Sequence, residues 1–169
     1  MLTTQRVTTS RDINAVAVLA NQIWNQHFPP IIGQEHVDYM LDKFQGVPAI
    51  TRQICEDGYE YYLIVDEDQY TGYFALVAED GDGGALQLSK LYLKRSSRGR
   101  GLGRAVLAWI EEECVERGVR ELWLTVNKDN ADSIAFYQRV GFGVAGSSVT
   151  DIGGGFVMDD YRMAKSIVD

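Results

Sequence analysis

Cysteine is scarce in this chain: two residues, Cys55 and Cys114, among 169. Their spacing fits neither a Cys-x-x-Cys redox pair nor a metal-ligand set, so no metal is expected. Each is expected to pack as a small hydrophobe. No apolar run reaches the length of a membrane-spanning helix, and no membrane partner is expected. Met1–Arg6 lacks the apolar core of a secretory signal, so a cytoplasmic location is expected. Positive charge is also short, with 16 Lys and Arg against 24 Asp and Glu, a net charge of −8 and a pI of about 4.7. That balance lacks the basic footprint of nucleic-acid binding. It serves solubility, and it suits a cationic substrate. No internal repeat, low-complexity segment or linker is present, and 169 residues suit one domain over 1–169 with a sizeable core.

The cations that do occur crowd one stretch. Lys94, Arg95, Arg98, Arg100 and Arg104 surround Arg98-Gly99-Arg100-Gly101-Leu102-Gly103. A strand-like run, Ala85–Leu93, precedes it, and a helix-like run from about Leu102 to Arg117 follows. Glycines at a strand-to-helix turn let a ligand approach the backbone closely. The first N–H groups of the helix point outward, and the helix dipole favours an anion there. The spacing is not Gly-x-x-x-x-Gly-Lys-Ser/Thr, and alternating Gly99, Gly101 and Gly103 are not Gly-x-Gly-x-x-Gly. No N-terminal βαβ unit supports a dinucleotide fold. The loop fits Arg/Gln-x-x-Gly-x-Gly/Ala, and its outward N–H groups with the cations around them suit a pyrophosphate-bearing cofactor. A solvated, basic Gly-rich turn is the alternative.

A second motif lies downstream. The β-rich run Leu122–Val126 leads into Asn127-Lys128-Asp129-Asn130, where Asp129 and Asn130 are helix-cap candidates. A short helix then carries Ile134 and Phe136-Tyr137 and stops at Gly141.

Around these motifs the patterning predicts a first strand at Thr4–Thr8 and a helix capped by Ser10, with Val16, Ala20, Ile23 and Trp24 on one face. Pro29-Pro30 ends that helix. Helices follow over Gln34–Phe44 and from Pro48 to Cys55. Strands at Tyr59–Asp66 and Tyr70–Ala78 flank a turn at Asp66–Gln69, and Glu79–Gly84 forms a second turn. After the central strand–helix–strand–helix segment, two strands are expected around Val144–Thr150 and Val157–Ala164. The order excludes a helix bundle and a Rossmann domain.

Together the two motifs, from Leu86 to Phe142, resemble the GNAT acetyltransferases: the pyrophosphate loop, then Asn-x-x-Asn-x-x-Ala/Ser-hydrophobic-x-x-Tyr-x-x-x-Gly-Phe. The tail Val149–Met163, with Ile23–Phe28 and Tyr39-Met40-Leu41, is similar to the PaiA-type polyamine acetyltransferase branch. The resemblance implies an α/β GNAT fold, a mixed twisted sheet flanked by helices. It implies acetyl-CoA as co-substrate, lying between the strands that end at Leu93 and Asn127. Pantetheine would pair with the backbone of Leu91, Tyr92 and Leu93 as an added strand. The pyrophosphate would rest on Arg98, Gly99, Arg100, Gly101, Leu102 and Gly103, with Asn130 on the pantetheine or pyrophosphate arm.

Tyr137 matches the family tyrosine near the thioester sulfur, where a phenol donates a proton to the leaving thiolate. A strand N–H polarises the carbonyl. The strand before the loop carries Gln87, Ser89 and Lys90, none a carboxylate base. Water, Glu35, Glu60 and His27 stay open as the base. Trp24, His27 and Tyr39 are the expected acceptor-binding residues, with Phe28, Ile31 and Tyr61 as further candidates, and an aromatic cluster near acids can hold an alkylammonium. The expected activity is acetyl transfer to the primary amine of a small molecule, a polyamine among them, by direct attack in a ternary complex. Acetylation of a protein lysine or N-terminus, and a non-catalytic acyl-CoA sensor, are the alternatives. A homodimer is left open by the family.

Overall fold

A computed structural model describes residues 2–79 and 84–167. Seven strands form one mixed sheet in the order β1-β2-β3-β4-β5-β7-β6. By its own contacts the chain divides into two compact units, Met1–Val77 with Lys90–Leu107, and Ala78–Ser89 with Ala108–Asp169.

In the first unit, β1 (Leu2–Arg6) pairs antiparallel with β2 (Tyr59–Asp66), Leu2 opposite Asp66 and Arg6 opposite Tyr62. The first strand therefore lies two residues earlier than its patterning suggests. The cap of α1 (Ser10–His27) is Thr9, not Ser10. Thr9 and Asp12 close a reciprocal capping box, and the Thr8 and Thr9 N–H groups hold the Asp12 carboxyl below its usual range. Val16, Leu19, Ala20, Ile23 and Trp24, spaced three and four apart, are the buried face of α1. After α1 the prolines do more than stop a helix: Pro29–Ile32 forms a single turn, α2, because a fixed φ and a missing N–H suit a first turn. Helices α3 (Gln34–Phe44) and α4 (Val47–Cys55) follow. Cys55 is exposed at the end of α4 and does not pack as a core hydrophobe.

Strands β2 and β3 (Gln69–Ala78) form a hairpin whose turn residues, Glu67 and Asp68, both take positive φ. That geometry matches the twist of the strands, although neither residue is glycine. The expected turn at Glu79–Gly84 lies largely outside the described residues. The end of β4 (Ala85–Leu93) belongs to this unit, and Gly72 of β3 lies against it: a Cβ at Gly72 would sit 2.2 Å from the Tyr92 carbonyl oxygen.

In the second unit, Ala85–Gln87 of β4 pairs parallel with Glu121–Trp123 of β5 (Glu121–Asn127). Strand β7 (Phe156–Ser166) runs antiparallel to β5, and β6 (Gly143–Gly153) runs antiparallel to β7. Leu122, Leu124 and Met163 are at most 2% exposed, with Ile110 and Cys114 of α5 (Leu102–Arg117) equally buried. Burial raises the Cys114 thiol to about 11. Helix α6 (Ala131–Arg139) ends as expected at Gly141, whose φ of 103° lets Gly141 and Phe142 donate back to Gln138 and Tyr137.

Candidate active site

The loop between β4 and α5 begins with a 3-10 turn over Arg95–Ser97. Gly99 and Gly101 then both take φ of 76°, a conformation in which an L side chain is strained. A Cβ at either glycine would meet nothing within 4 Å, so the backbone here faces open space. The first bond of α5 runs from the Ala105 N–H to the Gly101 carbonyl. The N–H groups of Gly101, Leu102, Gly103 and Arg104 therefore have no intrahelical acceptor. Four outward donors at the positive end of a helix fit a pyrophosphate.

The side chains of this loop serve to fix it. Arg100 Nη2 donates to Asp66 Oδ2 at 3.0 Å, where Asp66 is a buried carboxylate at the end of β2. Arg98 Nε donates to the Leu93 carbonyl at 3.3 Å, and its Nη1 lies 3.2 Å from His27 Nδ1 at the end of α1. Arg95 donates to the Gln26 carbonyl. The loop is thus tied to α1, β2 and β4, which holds its backbone in one shape.

The residues expected to meet an acceptor are placed variously. Trp24 is buried, 4.2 Å between ring centroids from Phe28 and 5.4 Å from Tyr92. His27 faces Arg98, as above. The Tyr39 hydroxyl accepts from Lys43 at 3.2 Å on the half-buried side of α3. Tyr61 is 0% exposed and donates to Gln53. Glu60 pairs with Arg6 at 3.1 Å, and Glu35 is exposed in the first turn of α3. Tyr92 is half-buried, with Tyr73 5.4 Å away beneath it.

One buried group in this unit stands outside the expectations from sequence. Lys90 alternates with Leu86 and Leu88 on the buried side of β4 and is 7% exposed. Its Nζ donates to the Phe44 carbonyl at 2.7 Å, to Tyr61 Oη at 2.5 Å and to Gln53 Oε1 at 3.2 Å. Desolvation pulls its ammonium down to about 7. The period-2 pattern Leu86, Leu88, Lys90 was the signal that could have found it.

In the second unit, Asn130 is the N-cap residue of α6 but makes no capping bond with its side chain, and it is buried. Tyr137 is 8% exposed, its ring 5.5 Å from Phe142 and 5.3 Å from Phe136. Burial raises the Tyr137 hydroxyl above its usual range, so it keeps its proton throughout the neutral range. Among the described residues nothing hydrogen-bonds that hydroxyl, and its oxygen is not among the buried orphans sealed from solvent. A protonated phenol with a free donor is what a departing thiolate needs.

The Acetyltransferase (GNAT) family profile matches residues 20–142, which takes in the loop and α6. The chain belongs to the GNAT acetyltransferase family. It is an N-acetyltransferase of that family, whose co-substrate is acetyl-CoA. An uncharacterized N-acetyltransferase of Mycobacterium bovis is 24% identical over 93% of this chain and 99% of its own length. The ribosomal protein bS18-alanine N-acetyltransferase of Escherichia coli K12 is 48% identical over 46 residues, 27% of this chain and 31% of its own. The PaiA N-acetyltransferase of Thermoplasma acidophilum, solved with coenzyme A, shares the fold at a TM-score of 0.79 and 18% identity, covering 98% of this chain and 99% of its own. In this GNAT enzyme no group of three or more His, Cys, Asp or Glu among the described residues could hold a metal. None of its described helices is long and apolar enough to cross a membrane.

Proposed function

We propose that this enzyme moves the acetyl group of acetyl-CoA to the primary amine of a small molecule, with a polyamine as the leading acceptor class. The observation that carries the chemistry is Tyr137: a buried ring, a protonated hydroxyl and a free donor. The amine nitrogen attacks the thioester carbonyl, the C–S bond breaks, and Tyr137 gives its proton to the thiolate. The pyrophosphate rests on the N–H groups of the loop from Arg98 to Gly103, and the backbone of Leu91–Leu93 takes the pantetheine. Asn130, whose side chain does not cap its own helix, is assigned to the same arm. A net charge of −8 favours a cationic acceptor, and the aromatic group of Trp24, Phe28 and Tyr92 suits an alkylammonium chain.

A second reading, acetylation of a protein N-terminus, draws on the 48% identical segment shared with the bS18-alanine enzyme. Release of CoA thiol across spermidine, spermine, simple diamines, amino acids and alanine-initiated peptides separates the two. Turnover concentrated on the diamines and polyamines supports the first; turnover confined to peptides replaces it with the second. With the best acceptor, Tyr137→Phe should lower kcat by about 100-fold or more and leave acetyl-CoA affinity unchanged. Gly101→Glu should remove acetyl-CoA binding in calorimetry without unfolding the protein, since the new carboxylate points into the open space before the loop. Unchanged affinity in that variant would displace the pyrophosphate from this loop.

A further inference from the structure

Asp160 lies on β7, the middle strand of the β5-β7-β6 group, opposite Asn127 on one side and Ser148 on the other. Asn127 is the last residue of β5, and four residues later, at Ala131, the chain enters α6, which carries Tyr137. Strand alternation sends Asp159 and Tyr161 to one face and Asp160 to the other. On the first face everything is engaged. Lys128 pairs with Asp159 at 2.8 Å and sits 5.4 Å from the centre of the Tyr161 ring. On the second face Asp160 is 6% exposed, yet no ion pair or side-chain hydrogen bond reaches its carboxylate from the described residues. Its oxygens are not among the sealed orphans, so they keep some contact with solvent.

A carboxylate buried without a partner costs free energy, and native structures rarely keep one without use. We propose, resting on the acetyl transfer assigned above, that Asp160 is the general base that takes the proton from the attacking amine nitrogen. As the C–N bond forms, that proton passes to Asp160. The electron pair of the C–S bond leaves with sulfur, and the thiolate takes the proton of Tyr137. The proton on Asp160 returns through solvent to the tyrosinate, so the net change is one proton moved from nitrogen to sulfur.

The electrostatics agree. Burial, then the charge of Asp159, raises the Asp160 carboxyl to about 6, with Lys128 opposing. Its cross-strand neighbours Asn127 and Ser148 carry no charge. A base with this affinity is ionised at neutral pH and still able to hold a proton in the transition state.

The test is the pH profile of kcat/KM, expressed per free amine, for the wild type, Asp160→Asn and Asp160→Glu. Acetyl-CoA affinity and thermal melting are measured alongside. The wild type should lose activity as pH falls through about 6. Asp160→Asn should lose that limb, drop kcat by about 100-fold or more, bind acetyl-CoA as before and melt no earlier at pH 7.5. Asp160→Glu should regain at least about tenfold of the loss. An Asp160→Asn variant with unchanged kcat, a retained acid limb, or a defect confined to KM overturns the assignment. So does a folded Asp160→Glu that recovers nothing. A wild type that binds acetyl-CoA but acetylates no amine removes the proposed function and this base with it, whereas an active wild type matched by Asp160→Asn removes the base alone.

Discussion

Lys90 in the first unit and Asp160 in the second are both buried on strands, and the two are treated in opposite ways. Lys90 is met by three acceptors from α3, α4 and β2. Asp160 is met by none among the described residues. Both are shifted toward the neutral form by desolvation, Lys90 to about 7 and Asp160 to about 6. Burial alone therefore does not separate a structural charge from a working one. The separation comes from asking where each polar atom's hydrogen bonds go. Lys90 gathers the end of α3, the last turn of α4 and the start of β2 onto β4, with three oxygens placed around its nitrogen. Asp160 holds capacity in reserve.

Substitutions can break or sharpen this contrast. The largest effect should come from Lys90→Ala, which removes one of the two donors to the Phe44 carbonyl, takes a shared partner from Tyr61 and Gln53 and opens a void. Unfolding free energy should fall by about 3 kcal/mol at pH 8, measured by urea denaturation. The pH dependence has a definite sign. The folded affinity for a proton, near 7, is below the ordinary lysine value of 10.5. The unfolded chain thus binds more protons between those values, and Lys90 contributes more stability as pH rises from 7 toward 10.5. The gap between wild type and variant should widen over that window. A gap that narrows would mean the ammonium, not the amine, is the form the fold prefers.

Asp160→Asn should act in the opposite direction and less strongly. The folded carboxyl, near 6, binds its proton more tightly than the ordinary value of 3.8. Its contribution to stability is complete below pH 3.8 and is lost as pH rises through 6. Neutralising it should stabilise the protein at pH 7.5 by about 1 kcal/mol, less than the full linkage value because the carboxylate oxygens still touch solvent. The gain should vanish below pH 4. A variant less stable than wild type at pH 7.5 would make Asp160 a structural residue like Lys90. Greater stability with lower activity is the pattern expected where a site is built at the cost of the fold.

Much of the fold was readable because its signals are local. Gly118 and Gly141, both at positive φ, close α5 and α6 where glycine is expected to end a helix. The sequence order of strands and helices matches the sheet. The loop was legible because Gly99 and Gly101 alternate between a strand and a helix, and both do adopt positive φ. The reading fell short where an outcome depends on competition between neighbours. Ser10 is the stronger cap in isolation, yet Asp12, placed to answer Thr9, decides for Thr9. The functions of Arg98 and Arg100 divided in a way that residue type does not reveal: their side chains reach His27 and Asp66, leaving the backbone to face outward. Asp160 was hidden for another reason. Two adjacent aspartates in Phe156–Ser166 look like one solvated pair, yet on a strand one of them must turn inward. Reading the parity of such pairs recovers that information from sequence alone.

Gly72 carries a consequence for genetics. Adding one methyl group there would press on the Tyr92 carbonyl, the central residue of the stretch assigned to pantetheine. The clash is with backbone, so the strands themselves must move apart for the variant to fold, and the stability this costs is felt first on warming. Gly72→Ala is thus a design for a temperature-sensitive allele, one that would let the cellular role of this enzyme be switched off by heat while every side chain assigned to its chemistry stays in place.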